Sequence, residues 1–179
     1  MIEPLNMFRS QWQTAKIKGK ADEHIVITRS EKSNSQTNYN YIRKGTVKRK
    51  TAIVNGDFIT VDNDDYFVTG SMPTQVKLIK TNCTVDIYKV TGSNASGFTK
   101  ALLSTSNPSF QRTVSDNMRL YDAGLLPLTV KKFILPALDI TLTNRIVFNG
   151  INYSINAIDN SKYENLLEVQ VEPDKRNAK

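Results

Sequence analysis

A mainly β fold, a small antiparallel β-barrel or sandwich with long loops and an extended N-terminal arm, is predicted by three observations. Leu166 to Glu172 alternates strictly, with Leu167, Val169 and Val171 on one side and Glu168, Gln170 and Glu172 on the other. That period of two is what a half-buried strand requires. Asn149-Gly150 lies between two apolar runs, Arg145 to Phe148 and Tyr153 to Ile158. Asn-Gly is the strongest short hairpin signal, because a type I′ turn needs positive φ at both central residues. Polar breaks such as Asn55-Gly56, Asp62 to Asp65 and Asp159 to Ser161 recur between short runs, as a strand-and-turn chain demands.

The elements follow in order. In residues 7–18, Phe8, Trp12 and Ala15 fall at helical spacing, which fits a short amphipathic helix or a loosely ordered leader. Trp12, the only tryptophan, is a candidate docking anchor, since aromatic side chains dominate interface energetics. His24 to Arg29 reads as a strand, and Ser30 to Asn40 as a long exposed loop too polar to fold alone. Asp57 to Val61, Tyr66 to Thr69, Gln75 to Lys80 and Thr84 to Val90 are strand candidates. The Ser/Gly-rich stretch near 91–108 reads as a connecting or projecting loop. Gln111 to Ser115, Met118 to Tyr121 and Thr129 to Leu135 are further short strands, with Pro136 ending the last. From Leu135 to Glu172 the chain forms an antiparallel meander, in which Tyr153, Ile155 and Ala157 are assigned to one face. Such a meander needs a partner to cover its apolar side. Asp57 to Val68 faintly echoes Asn144 to Ile155, 87 residues on. A common ancestor or the ordinary hairpin pattern accounts for it equally. The organisation expected is a basic arm with the first strands in 1–50, a barrel-type domain in 51–172, and a mobile charged tail in 173–179.

The chain carries a formal charge of +7. Residues 1–50 hold 11 Lys/Arg against 4 Asp/Glu, and the remainder holds 13 of each. The excess is thus N-terminal and calls for an acidic neighbour, either nucleic acid or an acidic protein surface. Arg43, Lys44, Lys48, Arg49 and Lys50, close to Tyr39 and Tyr41, are the candidate contacts. Charge alone suffices for phosphate contact, while lysines on an edge strand also discourage unwanted pairing.

Chemistry is sparse. There is one histidine, His24, and one cysteine, Cys83. A single cysteine excludes an intramolecular disulfide and a cysteine-based zinc site. Asp62-Asn63-Asp64-Asp65 lacks the central glycine and distal glutamate of a calcium loop. No glycine-rich phosphate loop and no His pair at metal spacing occur. The reading is a non-enzyme with no cofactor, no metal and no membrane span.

The run Leu135-Pro136-Ala137, Asp139-Ile140, Asn144-Arg145-Ile146-Val147-Phe148-Asn149-Gly150, Tyr153-Ser154-Ile155 and Ile158-Asp159 resembles the β-rich core of tailed-bacteriophage head–tail joining proteins. About 40 residues carry the resemblance, and the Asp57–Val68 hairpin shares it more weakly. Asn144 stands where that family usually has Asp. The resemblance implies a structural virion protein at the neck, assembled in the host cytoplasm. Its role would be head closure, as a stopper ring beneath the portal and its adaptor that retains DNA and docks the tail. Tail-terminator and baseplate proteins use comparable barrels, so a tail adaptor is the alternative. A free nucleic-acid-binding module carried by residues 41–50 is a third reading. Expected partners are other copies in a ring, portal or adaptor and tail proteins, and packaged DNA through non-specific contact.

Overall fold

The computed structural model describes residues 11–29, 41–93, 95–115 and 124–176. Of these described residues 63% are strand and 1% helix. The chain divides into two compact units, one ending at Thr81 and taking in Tyr163–Asn165, the other formed by Asn82–Lys162 and the residues from Leu166 onward. Each unit holds one closed six-stranded antiparallel barrel. The single barrel domain expected over 51–172 is therefore two barrels, and residue 50 falls inside the first.

The first barrel comprises β1 (Gln13–Ile17), β2 (Glu23–Arg29), β3 (Ile42–Val47), β4 (Phe58–Val61), β5 (Asp64–Met72) and β6 (Gln75–Lys80), in the cyclic order β1-β2-β3-β6-β5-β4. Ala15, Ile17, Ile25, Val47, Ile59, Val61, Tyr66, Val68, Val76 and Leu78 fill its interior. The helix considered for residues 7–18 gives way to β1 in its described half: Ala15 and Ile17 alternate inward while Thr14 and Lys16 face out. Burial with period two overrides a helical spacing carried by three residues.

The second barrel comprises β7 (Cys83–Ser93), β8 (Gly97–Thr113), β9 (Lys131–Pro136), β10 (Arg145–Phe148), β11 (Ile151–Asp159) and β12 (Leu166–Pro173), in the order β7-β8-β9-β12-β11-β10. Its interior is built from Val85, Ile87, Phe133, Leu135, Ile146, Tyr153, Ile155, Leu167, Val169 and Val171. Phe133 packs edge-on against Phe148 and Tyr153, with centroids 5.6 and 6.4 Å apart, a favoured aromatic geometry.

The two barrels have the same topology, strand for strand. Both β4–β5 and β10–β11 turn on two residues of positive φ: Asp62 (50°) and Asn63 (68°), then Asn149 (50°) and Gly150 (75°). Both return strands carry a bulge at the same place, between Val68 and Gly70 and between Ile155 and Ala157. Each pair of positions is 87 residues apart. The bulge reverses the alternation beyond Asn156, so Ala157 opposes Gln170 and Ile158 opposes Val169. Ala157 therefore leaves the core face assigned to it, and Ile158 joins the core instead.

Core volume is exchanged between the copies. Register aligns Ile25 with Ser109 and Gly45 with Phe133. A Cβ added to Gly45 would lie 2.6 Å from Ile25 Cδ1 and from Val76 Cγ2, so Ile25 occupies the room above the glycine. In the second barrel the aligned positions hold a small residue, Ser109, and a large one, Phe133, and both are fully buried. Total volume is what close packing holds fixed.

Candidate functional site

The basic residues singled out in the sequence separate into two groups. Gly45 and Val47 face the interior of β3, and Lys44 faces out. Arg43 is half-buried, and its Nη1 donates to the Ile42 carbonyl at 3.0 Å. Its charge reaches Tyr66, whose hydroxyl pKa is raised by burial and by the Asp64 carboxylate while Arg43 pulls it down. Lys48, Arg49 and Lys50 lie beyond the strand in an exposed turn, which is closed by a hydrogen bond from Thr51 N to Lys48 O at 3.1 Å. The antiparallel ladder sets Lys77 of β6 directly opposite Lys44, with Gly70 of β5 on its other side. Arg43, Lys44 and Lys77 line an open groove of about 500 Å³ together with Ile42, Thr69 and Met72. Lys77 was missed in the sequence because only strand register brings it beside a residue 33 positions earlier.

Trp12 is half-buried immediately before β1. Phe8, the Ser30–Asn40 loop and Met118 to Tyr121 lie outside the described residues.

The stretch near 91–108 is a ribbon rather than a loop. β7 and β8 pair from Cys83↔Ser109 to Ser93↔Gly97. The ladder to β10 stops at Tyr88 and the ladder to β9 begins at Phe110, so the strands beyond those points run on as a pair. Leu102 and Leu103 are 56% and 47% exposed there. Lys100 lies 5.7 Å from the centre of the Tyr88 ring, a cation–π distance. In the first barrel the aligned connection is only Lys18 to Asp22, against Tyr88 to Ser106 here. Barrel closure therefore does not require the ribbon. Serines and glycines hid it from sequence reading, because they are weak strand formers.

Buried charge pins the second barrel. Arg145 and Asp174 are each 1% exposed, with Nε donating to Oδ2 at 2.7 Å. Arg176 Nη2 adds a bond to the same oxygen at 2.8 Å, and its Nη1 reaches the Thr143 carbonyl at 2.8 Å. Burial opposes ionisation of Asp174, but these hydrogen bonds outweigh it and hold its pKa below the ordinary value. In the stretch 173–179, Asp174 and Arg176 are hydrogen-bonded to β10 and the residues just before it, while 177–179 lie outside the described residues. Asn144 Oδ1 accepts from Thr141 N at 2.6 Å while its Nδ2 donates to the Tyr88 carbonyl at 3.4 Å. An Asp there would lose that donor. Lys132 and Lys162 both bind Glu168 at 2.7 Å. Here too burial pushes the carboxyl up, and the two lysines more than reverse it. Gln170 accepts from Leu126 N and Thr129 Oγ1, both at 2.9 Å.

Comparison with family models, with curated proteins and with solved structures gives no match.

Burial raises the Cys83 pKa to about 11, which keeps the thiol protonated and unreactive. His24 is exposed on β2 opposite Thr14. Asp62 accepts from Gln13 Nε2, Asp65 from Thr60 Oγ1 at 2.6 Å, and Asp64 pairs with Lys80 at 2.7 Å. These acids are engaged in turn and ladder contacts. Among the described residues no three His, Cys, Asp or Glu side chains are grouped to hold a metal.

Proposed function

We propose that this chain is a structural virion protein of a tailed phage, a head-closure or stopper subunit that forms a ring beneath the portal and its adaptor. In that position it retains the packaged DNA and offers the tail its docking surface. The observation that carries the reading is the β7–β8 ribbon. A two-stranded ribbon is marginal in water by itself, and its free edges invite strand addition by another chain. Leu102 and Leu103 expose the apolar surface that such an interface buries. The aligned connection of the first barrel closes without any such extension, so the ribbon exists for something other than the fold. The Asn144–Asp159 hairpin, which resembles head–tail joining proteins, supports the same class.

The test is the double substitution Leu102→Asp and Leu103→Asp. Both side chains are outside the core, so the thermal midpoint should hold. Particles carrying it should fail to join heads to tails. Normal yields of joined, DNA-filled particles would remove the ribbon as the assembly surface and the reading with it.

A further inference from the structure

We infer that the groove on the first barrel, built on Lys44 and Lys77 with Arg43 at its end, binds the phosphodiester backbone of duplex DNA without regard to sequence. The inference deepens the DNA-retaining part of the connector reading and rests on it for its biological setting only.

The argument is a comparison within one molecule. Register aligns Lys44 with Lys132, Lys77 with Gln170, Gln75 with Glu168 and Gly70 with Ala157. In the second barrel the lysine is buried and held by Glu168 at 2.7 Å, and the facing position is the neutral Gln170. In the first barrel the facing position is a second lysine, the carboxylate is replaced by Gln75, and both lysines are exposed. Side chains directly opposite in an antiparallel pair have Cβ atoms only about 5 Å apart, and like charges there are destabilising. One copy of the fold avoids that cost and the other keeps it.

The groove contains what an anion needs. Among the described residues its lining includes three basic residues and no acidic one. Residues 1–81 carry 13 Lys/Arg against 8 Asp/Glu, so the surrounding field is positive. Gly70 and the bulge beside it keep the flank of Lys77 low, since a Cβ at Gly70 would already touch the Lys77 side chain at 3.5 Å. Two flexible ammonium groups are point charges, suited to a phosphate rather than to the planar, bidentate grip an Arg gives a carboxylate. Among the described residues the lining holds no aromatic ring, so the groove offers phosphate contact rather than base stacking or sequence readout.

The experiment measures binding of unrelated labelled duplexes to the full chain across salt, with Lys44→Gln/Lys77→Gln against Lys48→Gln/Arg49→Gln/Lys50→Gln. Each phosphate contact contributes about one unit to the salt slope. The groove variant should lose about two units of slope and weaken binding equally for every duplex, while its thermal midpoint stays or rises. A rise in stability with a loss of binding separates a binding site from a structural role. Unchanged slope and affinity in the groove variant, loss confined to the turn variant, or no binding by the wild-type chain would each overturn the proposal. So would displacement of the duplex by poly-glutamate at equal charge, which would assign the groove to acidic protein. The connector reading fails separately, by heads and tails that join when the protein is absent.

Discussion

Arg145 shows how one side chain can tie a terminus to a barrel. It opens β10, is almost wholly buried, and meets Asp174 just after β12. Two buried charges gain little over a well-packed apolar pair, but removing one strands the other. Asp174→Ala is therefore expected to cost about 3–5 kcal/mol, read as a fall in the urea midpoint. A loss below about 1 kcal/mol would mean that water reaches Arg145. The same chemistry sets acid sensitivity. Asp174 and Glu168 hold pKa values below their ordinary ones. Their contribution is complete above the ordinary carboxylate range near 4 and fades as pH falls through the lower folded values. Urea titration at descending pH should show stability dropping below about pH 4, and the Asp174→Ala variant should show a shallower drop. An equally steep acid limb in that variant would assign the effect to other carboxylates.

The strand-and-turn elements were legible where local chemistry and tertiary need agreed. Asn149-Gly150 is such a place, for both residues adopt the positive φ that the dipeptide favours. Nothing lies within 4 Å of a Cβ built on Gly150, so any penalty there is backbone strain alone. Gly150→Val should cost roughly 1–2 kcal/mol, Ala somewhat less and Asn least, because Asn tolerates the left-handed region. Equal losses for all three, measured by thermal melting, would place the cost elsewhere. Elements were missed where the deciding contacts are distant. Ala15 and Ile17 form a strand because β2 and β4 flank them. The ribbon mixes serines and glycines with strand formers such as Val90, Thr91, Phe98 and Thr99, and its two strands are held mainly by each other. Ala157 changes face through a bulge at Asn156 that no local residue signals. Lys77 joins Lys44 through register, which is a property of the folded sheet.

At the scale of the whole chain, the faint echo between Asp57–Val68 and Asn144–Ile155 extends to two complete barrels of one topology. The sequence betrayed only the hairpin because a two-residue turn constrains its residues tightly. Core positions instead accept exchanges such as Ile25 with Gly45 for Ser109 with Phe133. What differs between the copies is what each adds to the common barrel. The first keeps an unneutralised pair of lysines, and the second grows a ribbon and fixes its terminus with buried charge. The most direct measurement of the connector role is electron microscopy of particles assembled without this protein. The role predicts tails that assemble normally beside heads that are unjoined and that leak or lack DNA. Full heads joined to tails in its absence would contradict it.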